Sequence, residues 1–96
     1  MSEAFCRLDV WLWRARFFKS RSLAAAALSA GGVRHSRGGA LRRAEPATRA
    51  NCGDELVFAA VDGRVRSLRI LALGERRGPA AEARALYEEI QAPLDD

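Results

Sequence analysis

Between Arg7 and Val33 the chain reads RLDVWLWRARFFKSRSLAAAALSAGGV, and this stretch leaves few folds open. Leu8, Trp11, Leu12 and Ala15 share one face at helical spacing, which predicts a first helix over about Leu8–Phe18. Val10, Trp13 and Phe17 form a second apolar strip on its far side. A helix that is apolar on two sides is covered on two sides. One strip is expected against a second helix and strands, the other against a C-terminal element. The two tryptophans read first as core residues and only second as base-stacking groups. The second helix is predicted over Arg21–Ala30, with Ser20 as its N-cap. Leu23, Ala24, Ala27 and Leu28 are its predicted inner face, and Gly31 or Gly32 supplies a left-handed stop.

The corner between these helices carries Arg16, Lys19, Ser20 and Arg21. Free N–H groups at a helix start favour an anion, so cations there are unfavourable unless an anion joins them. Three cations around one helix start therefore point to a phosphate partner, a nucleic-acid backbone above all. The charge distribution agrees. Residues 1–49 hold ten Lys/Arg and three Asp/Glu, a net of +7, whereas residues 50–96 hold six and nine, a net of −3. Fifteen of the sixteen cations are Arg, which suits bidentate phosphate contact and stacking on bases. Arg7 and Arg14 are expected to extend the basic face, and Arg34 and Arg37 to reach a groove from a strand and its loop. Arg49, Arg64 and Arg84 read as solvated cations.

After the glycine stop, Val33–His35 is predicted as a short strand and 36–40 as a flexible basic loop. Residues 41–48 read as irregular, with Arg42 and Arg43 exposed, and 51–54 as a turn. Strands over Glu55–Val61 and Arg64–Leu73 flank Asp62-Gly63, a type I′ hairpin signal. The second strand alternates imperfectly, as a bulge would make it. Arg76 and Arg77 fall in a loop over 74–78 and are expected to contribute little to folding. Pro79 opens a third helix running to about Ile90, with Ala83, Leu86, Tyr87 and Ile90 as its stripe and Glu88-Glu89 on a solvated face. The last residues are expected to fray.

The length bounds the chain to one domain, 1–96, with a core over about 7–58 and a hairpin and C-terminal helix over about 59–91. Cys6 and Cys52 are distant in sequence and lack C-x-x-C spacing, so no zinc site is expected, and two free thiols are expected with a disulfide as the alternative. Charges at Arg7, Asp9 and Arg14 interrupt any leader-like run, and the apolar run Leu23–Leu28 is too short to span a bilayer. A cytoplasmic protein without cofactor or membrane partner follows. His35 is the only histidine, reads as a surface or RNA-facing group, and lies in no nucleophile or phosphate-loop motif, so an enzyme is not expected.

Arg7-Leu8-Asp9, Leu12, Arg16, Ser20-Arg21, Ala24, Gly31, Val33 and Gly53-Asp54-Glu55-Leu56 together resemble the S4 RNA-binding domain. Two further blocks are similar to the ribosome-associated heat-shock protein 15 family: Trp11-Leu12-Trp13 with Phe17–Arg21, and 75–83 followed by Leu86–Glu89. This resemblance implies an α+β fold of the αL type, with two N-terminal helices on a small, mostly antiparallel sheet plus a C-terminal helix. It also implies a protein that binds ribosomal RNA on the large ribosomal subunit, with tRNA nearby, and helps recycle free large subunits carrying a nascent chain after heat stress; a monomer is expected because each element carries its own start or stop signal. RNA is preferred to DNA on this ground, since charge alone does not separate them. Phosphates would sit on Arg16, Lys19 and Arg21, ordered by the Ser20 cap. The chain departs from the family at the loop after Val33, which is about four residues longer, at Glu45-Pro46-Ala47 in place of Lys-Pro-Ser, and in ending at Asp96 without a long basic tail. Two other functions stay open: an RNA-targeting module for a separate modifying enzyme, and a protein-interaction module using the third helix.

Overall fold

The computed structural model describes residues 5–60 and 62–90. In chain order the elements are β1 (Cys6–Arg7), α1 (Leu8–Arg14), α2 (Arg21–Ser29), β2 (Val33–Ser36), β3 (Arg42–Arg43), β4 (Arg49–Ala50), β5 (Glu55–Ala59), β6 (Val65–Ile70), α3 (Ala80–Arg84) and β7 (Tyr87–Glu89). Five strands form an antiparallel sheet in the order β3-β2-β5-β6-β7, and β1 pairs with β4 beside it. The α+β architecture expected from the sequence is present.

Leu8, Trp11 and Leu12 are fully buried, and Ala15 nearly so, against Leu28, Val33, Leu56, Leu68 and Ile70. The predicted inner face of α1 is thus the centre of the core. Trp11 is a core residue, and its indole N–H donates to the Ala72 carbonyl at 2.9 Å. The inner face of α2 is narrower than predicted. Ala24 and Leu28 are buried, but Leu23 is 52% exposed because it lies in the first turn, beside the cap.

Both N-terminal helices stop in a Schellman motif, where a left-handed residue lets two N–H groups reach back over the last turn. In α2 that residue is Gly31 (φ 84°), with Gly31 N–H on Leu28 O and Gly32 N–H on Ala27 O. In α1 it is Arg16 (φ 67°), with Arg16 N–H on Trp13 O and Phe17 N–H on Leu12 O. Helix α1 therefore ends at Arg14, earlier than the apolar pattern predicts, and Phe17 leaves the helix to pack on the sheet.

The β5–β6 connection differs from the predicted two-residue turn. Ala60 N–H bonds Arg64 O and Gly63 N–H bonds Ala60 O, so the turn is closed by the Ala60–Arg64 pair. The expected irregularity in the second strand is real: Leu71 and Ala72 N–H groups both donate to Leu86 O, the pattern of a bulge.

The largest departure is at the C-terminal segment. The predicted helix to Ile90 ends at Arg84, and Tyr87–Glu89 becomes an edge strand on β6. Five residues of helix bury little, whereas the open edge of β6 offers backbone partners and two arginines. Glu88 pairs with Arg69 (2.7 Å) and Glu89 with Arg66 (2.8 Å), so neither is merely solvated. Cross-strand pairing here outweighs a weak helical preference. Of the second strip, only Phe17, which has left α1, is covered by this strand. The Tyr87 ring lies 4.8 Å from that of Phe17, while Val10 and Trp13 stay half-buried. Expectations for residues 91–96 and for Val61 lie outside the described residues.

Candidate nucleic-acid interface

The corner forms as its residue types dictate. Ser20 is extended (φ −142°, ψ 160°) and its hydroxyl accepts the Leu23 N–H at 3.0 Å, which orders the start of α2. Arg16, Lys19 and Arg21 are all exposed around it. Lys19 has no ion-pair partner among the described residues. Arg16 spends one N–H on the Gly78 carbonyl (3.0 Å), which ties the corner to the C-terminal loop.

Asp9 organises the arginines on the other side of this corner. Its carboxylate is buried, accepts a two-pronged bond from Arg7 (3.1 Å each), and lies 3.6 Å from Arg21 Nε. Burial alone pushes its pKa up, but the Arg7 bonds, the charges of Arg7 and Arg21, and the Val10 N–H hold it below the ordinary aspartate value. One buried anion thus holds two half-exposed cations side by side on the surface.

From there the basic surface continues. Arg7 stands opposite Arg49 in the β1–β4 ladder, and the Arg49 guanidinium lies 4.4 Å from the Phe5 ring centroid. Arg49 lines an open cavity of about 510 Å³ with His35, Ser36, Arg37 and Arg42. Arg21, Arg7, Arg49 and Arg42 therefore form a row from the Ser20 cap to the extended loop. The sequence reading took Arg49 for an isolated cation, and only the β1–β4 pairing places it in this row.

Other predicted site residues are turned to structural work. Arg14 is half-buried and donates to the Leu73 and Gly74 carbonyls (3.3 and 2.9 Å). Arg37 bonds the buried Asp54 carboxylate at 3.2 Å, the Arg49 carbonyl at 3.1 Å, and the Asn51 side chain. It braces the 51–54 turn and presents only part of its guanidinium to the cavity. His35 is a member of the same network, with Nε2 2.8 Å from Asp54 Oδ2, and it also lines the open cavity. Arg34 is exposed on β2, opposite Arg43, with no partner among the described residues. Arg77 also departs from expectation: it donates to the Trp13 and Phe18 carbonyls and clamps the α1–α2 connection, while Arg76 pairs with Glu82.

Cys6 and Cys52 are both free thiols, and burial raises the pKa of Cys6. Among the described residues no group of three His, Cys, Asp or Glu side chains could hold a metal ion, and no helix is long and apolar enough to cross a membrane.

Residues 6–34 match the S4 domain family model. Over 94 residues the chain is 35% identical to a heat shock protein 15 homolog of Haemophilus influenzae, covering 98% of this chain and 68% of that protein. It is 40% identical over 88 residues to a homolog of Aeromonas salmonicida, covering 92% of this chain and 63% of the relative. Escherichia coli heat shock protein 15 is 39% identical over 83 residues, covering 86% and 59%. The chain thus spans 59 to 68% of the length of these relatives. Its fold superposes on a solved structure of Vibrio cholerae heat shock protein 15, described as trimeric, with a TM-score of 0.78 at 33% identity, covering 90% of this chain and 82% of that one.

Proposed function

This chain belongs to the heat shock protein 15 family, built on an S4 RNA-binding domain, and from that membership we propose that it binds ribosomal RNA on the large ribosomal subunit. In this reading it acts in the cytoplasm without catalysis and helps recycle free large subunits that carry a nascent chain on tRNA after heat stress. The observation that carries the reading is the arginine row from the Ser20 cap through Arg21, Arg7 and Arg49 to Arg42, joined at the corner by Lys19 and Arg16. A helix start with free N–H groups, exposed guanidinium groups and no acid in its first turn is complementary to a phosphate backbone. Asp9 positions two members of the row without neutralising their outer faces. Arg34 adds a further free cation at the loop side, while Arg14 and Arg37 support the surface from beneath.

Co-sedimentation tests this. The protein is expected to travel with free large subunits at low salt and to leave them at high salt. Equal binding to large subunits and to an arbitrary structured RNA would remove the ribosome from the proposal and leave generic RNA binding. The chain is read as a monomer on its RNA; because the Vibrio cholerae relative is described as trimeric, sedimentation equilibrium of the free protein decides the assembly.

A further inference from the structure

A second cavity, of about 320 Å³, opens between the C-terminal end of α1 and the α3–β7 segment, and is lined by Arg16, Phe17, Arg66, Arg84 and Tyr87. We propose that it takes one unpaired nucleotide of the bound RNA, an inference that rests on the RNA-binding reading and adds a base-recognition site to it. The volume is at the low end of small-molecule sites, a scale that suits a single nucleotide better than a helix or a peptide strand.

Its walls match the two halves of a nucleotide. Phe17 and Tyr87 pack with ring centroids 4.8 Å apart, and the Arg66 guanidinium lies 5.3 Å from the Phe17 centroid. Glu89 holds that guanidinium by two bonds, at 2.8 and 3.0 Å, so it is a fixed flat surface rather than a swinging side chain. Aromatic rings and immobilised guanidinium planes are what unpaired bases stack on. The rim supplies the charge. Arg84 is exposed and has no partner among the described residues, and Arg16 uses one N–H on Gly78 and keeps others free. No acidic residue lines the cavity, and Glu89 bonds Arg66 from outside the lining. Bases inside a duplex are stacked on each other and present only their edges, so the occupant is an unpaired residue.

Arg16 belongs both to the corner and to this cavity, so a strand held at the corner leads into it. The sequence reading took Arg84 for a solvated cation; the short α3 and the strand that follows bring it beside Arg16 and Arg66. Arg66, Arg84 and Tyr87 lie beyond residues 6–34 that match the S4 model, while Arg16 and Phe17, just after α1, lie within them.

The test measures binding of a blunt RNA hairpin and of the same hairpin with a short unpaired tail, by fluorescence anisotropy, at one salt concentration. The tail is expected to tighten binding about tenfold, the scale of one stacked base. Arg84→Ala is expected to abolish that advantage while leaving blunt-hairpin binding near wild type, and to keep the wild-type melting temperature because the side chain is exposed and unpaired. Arg64→Ala, an equally free arginine at the β5–β6 turn, is expected to keep the advantage. A 2-aminopurine in the tail is expected to be quenched by wild type and not by Arg84→Ala. Equal binding of both RNAs by wild type overturns the inference and leaves the RNA reading intact. So does an equal loss on both RNAs from Arg84→Ala and Arg64→Ala, which marks diffuse attraction. Adenosine monophosphate binding as tightly as the tailed RNA overturns it in favour of a free nucleotide, and failure to bind either RNA overturns both readings.

Discussion

At the scale of single residues, Asp9 and Arg16 connect stability to the surface. Asp9 is buried with its charge shared by Arg7 and Arg21, so its folded pKa lies below its unfolded one. The stability it contributes is fully present above about pH 4 and is lost as pH falls through the lowered folded value. Asp9→Asn is expected to cost about 1–2 kcal/mol at neutral pH, the lower part of the range for a broken charged pair because both arginines are half-exposed. Urea unfolding of both proteins should show this gap narrowing by about pH 3; a gap independent of pH would contradict the assigned role. Arg16 stands where a glycine is usual, and the left-handed backbone there costs a non-glycine residue about 1 kcal/mol. Arg16→Gly relieves that strain and loses the bond to Gly78, so stability is expected to stay within about 1 kcal/mol of wild type while RNA binding weakens. A side chain kept at that position for folding alone would show the reverse. The strain itself was not legible in the sequence, because nothing in the apolar pattern says that α1 stops at Arg14.

At the scale of elements, local signals decided what local chemistry controls. The Ser20 cap, the Gly31 stop and the inner face of α1 stand where capping and periodicity put them, since each depends on neighbours within one or two turns. The C-terminal segment did not follow its own pattern. Ala83, Leu86, Tyr87 and Ile90 share helical spacing, yet the open edge of β6 captures Tyr87–Glu89. The partner that decides this lies about twenty residues earlier in the chain, so no local window contains it. Nuclear magnetic resonance should show close Hα protons for the Leu68–Glu89 pair. A continuous ladder of i to i+3 contacts through Ile90 would instead restore the helix. The same non-local pairing hid the candidate site. Arg49 joins Arg7 only through β1–β4, and Arg84 joins Arg16 only through the docked segment. Conversely, Arg14, Arg37 and Arg77 read as free cations in the sequence but donate to carbonyls and to Asp54, because an arginine's partners are set by tertiary packing.

At the scale of the whole molecule, the uneven charge of the two halves becomes a surface. The first half contributes Arg7, Lys19, Arg21, Arg42 and Arg49, which are the free or half-free cations of the row, while several arginines of the second half, such as Arg66, Arg69 and Arg76, are paired with Glu89, Glu88 and Glu82. Net charge alone would attract RNA anywhere; a built row attracts it in one place. The salt dependence of RNA affinity separates the two most directly. With about four to six phosphates engaged, log affinity should fall against log salt with a slope of roughly −3 to −5, and alanine at Lys19 or Arg21 should flatten it by about one each. Arg64→Ala should leave the slope as in wild type. A slope that flattens as much for Arg64 as for Arg21 would contradict a defined phosphate row.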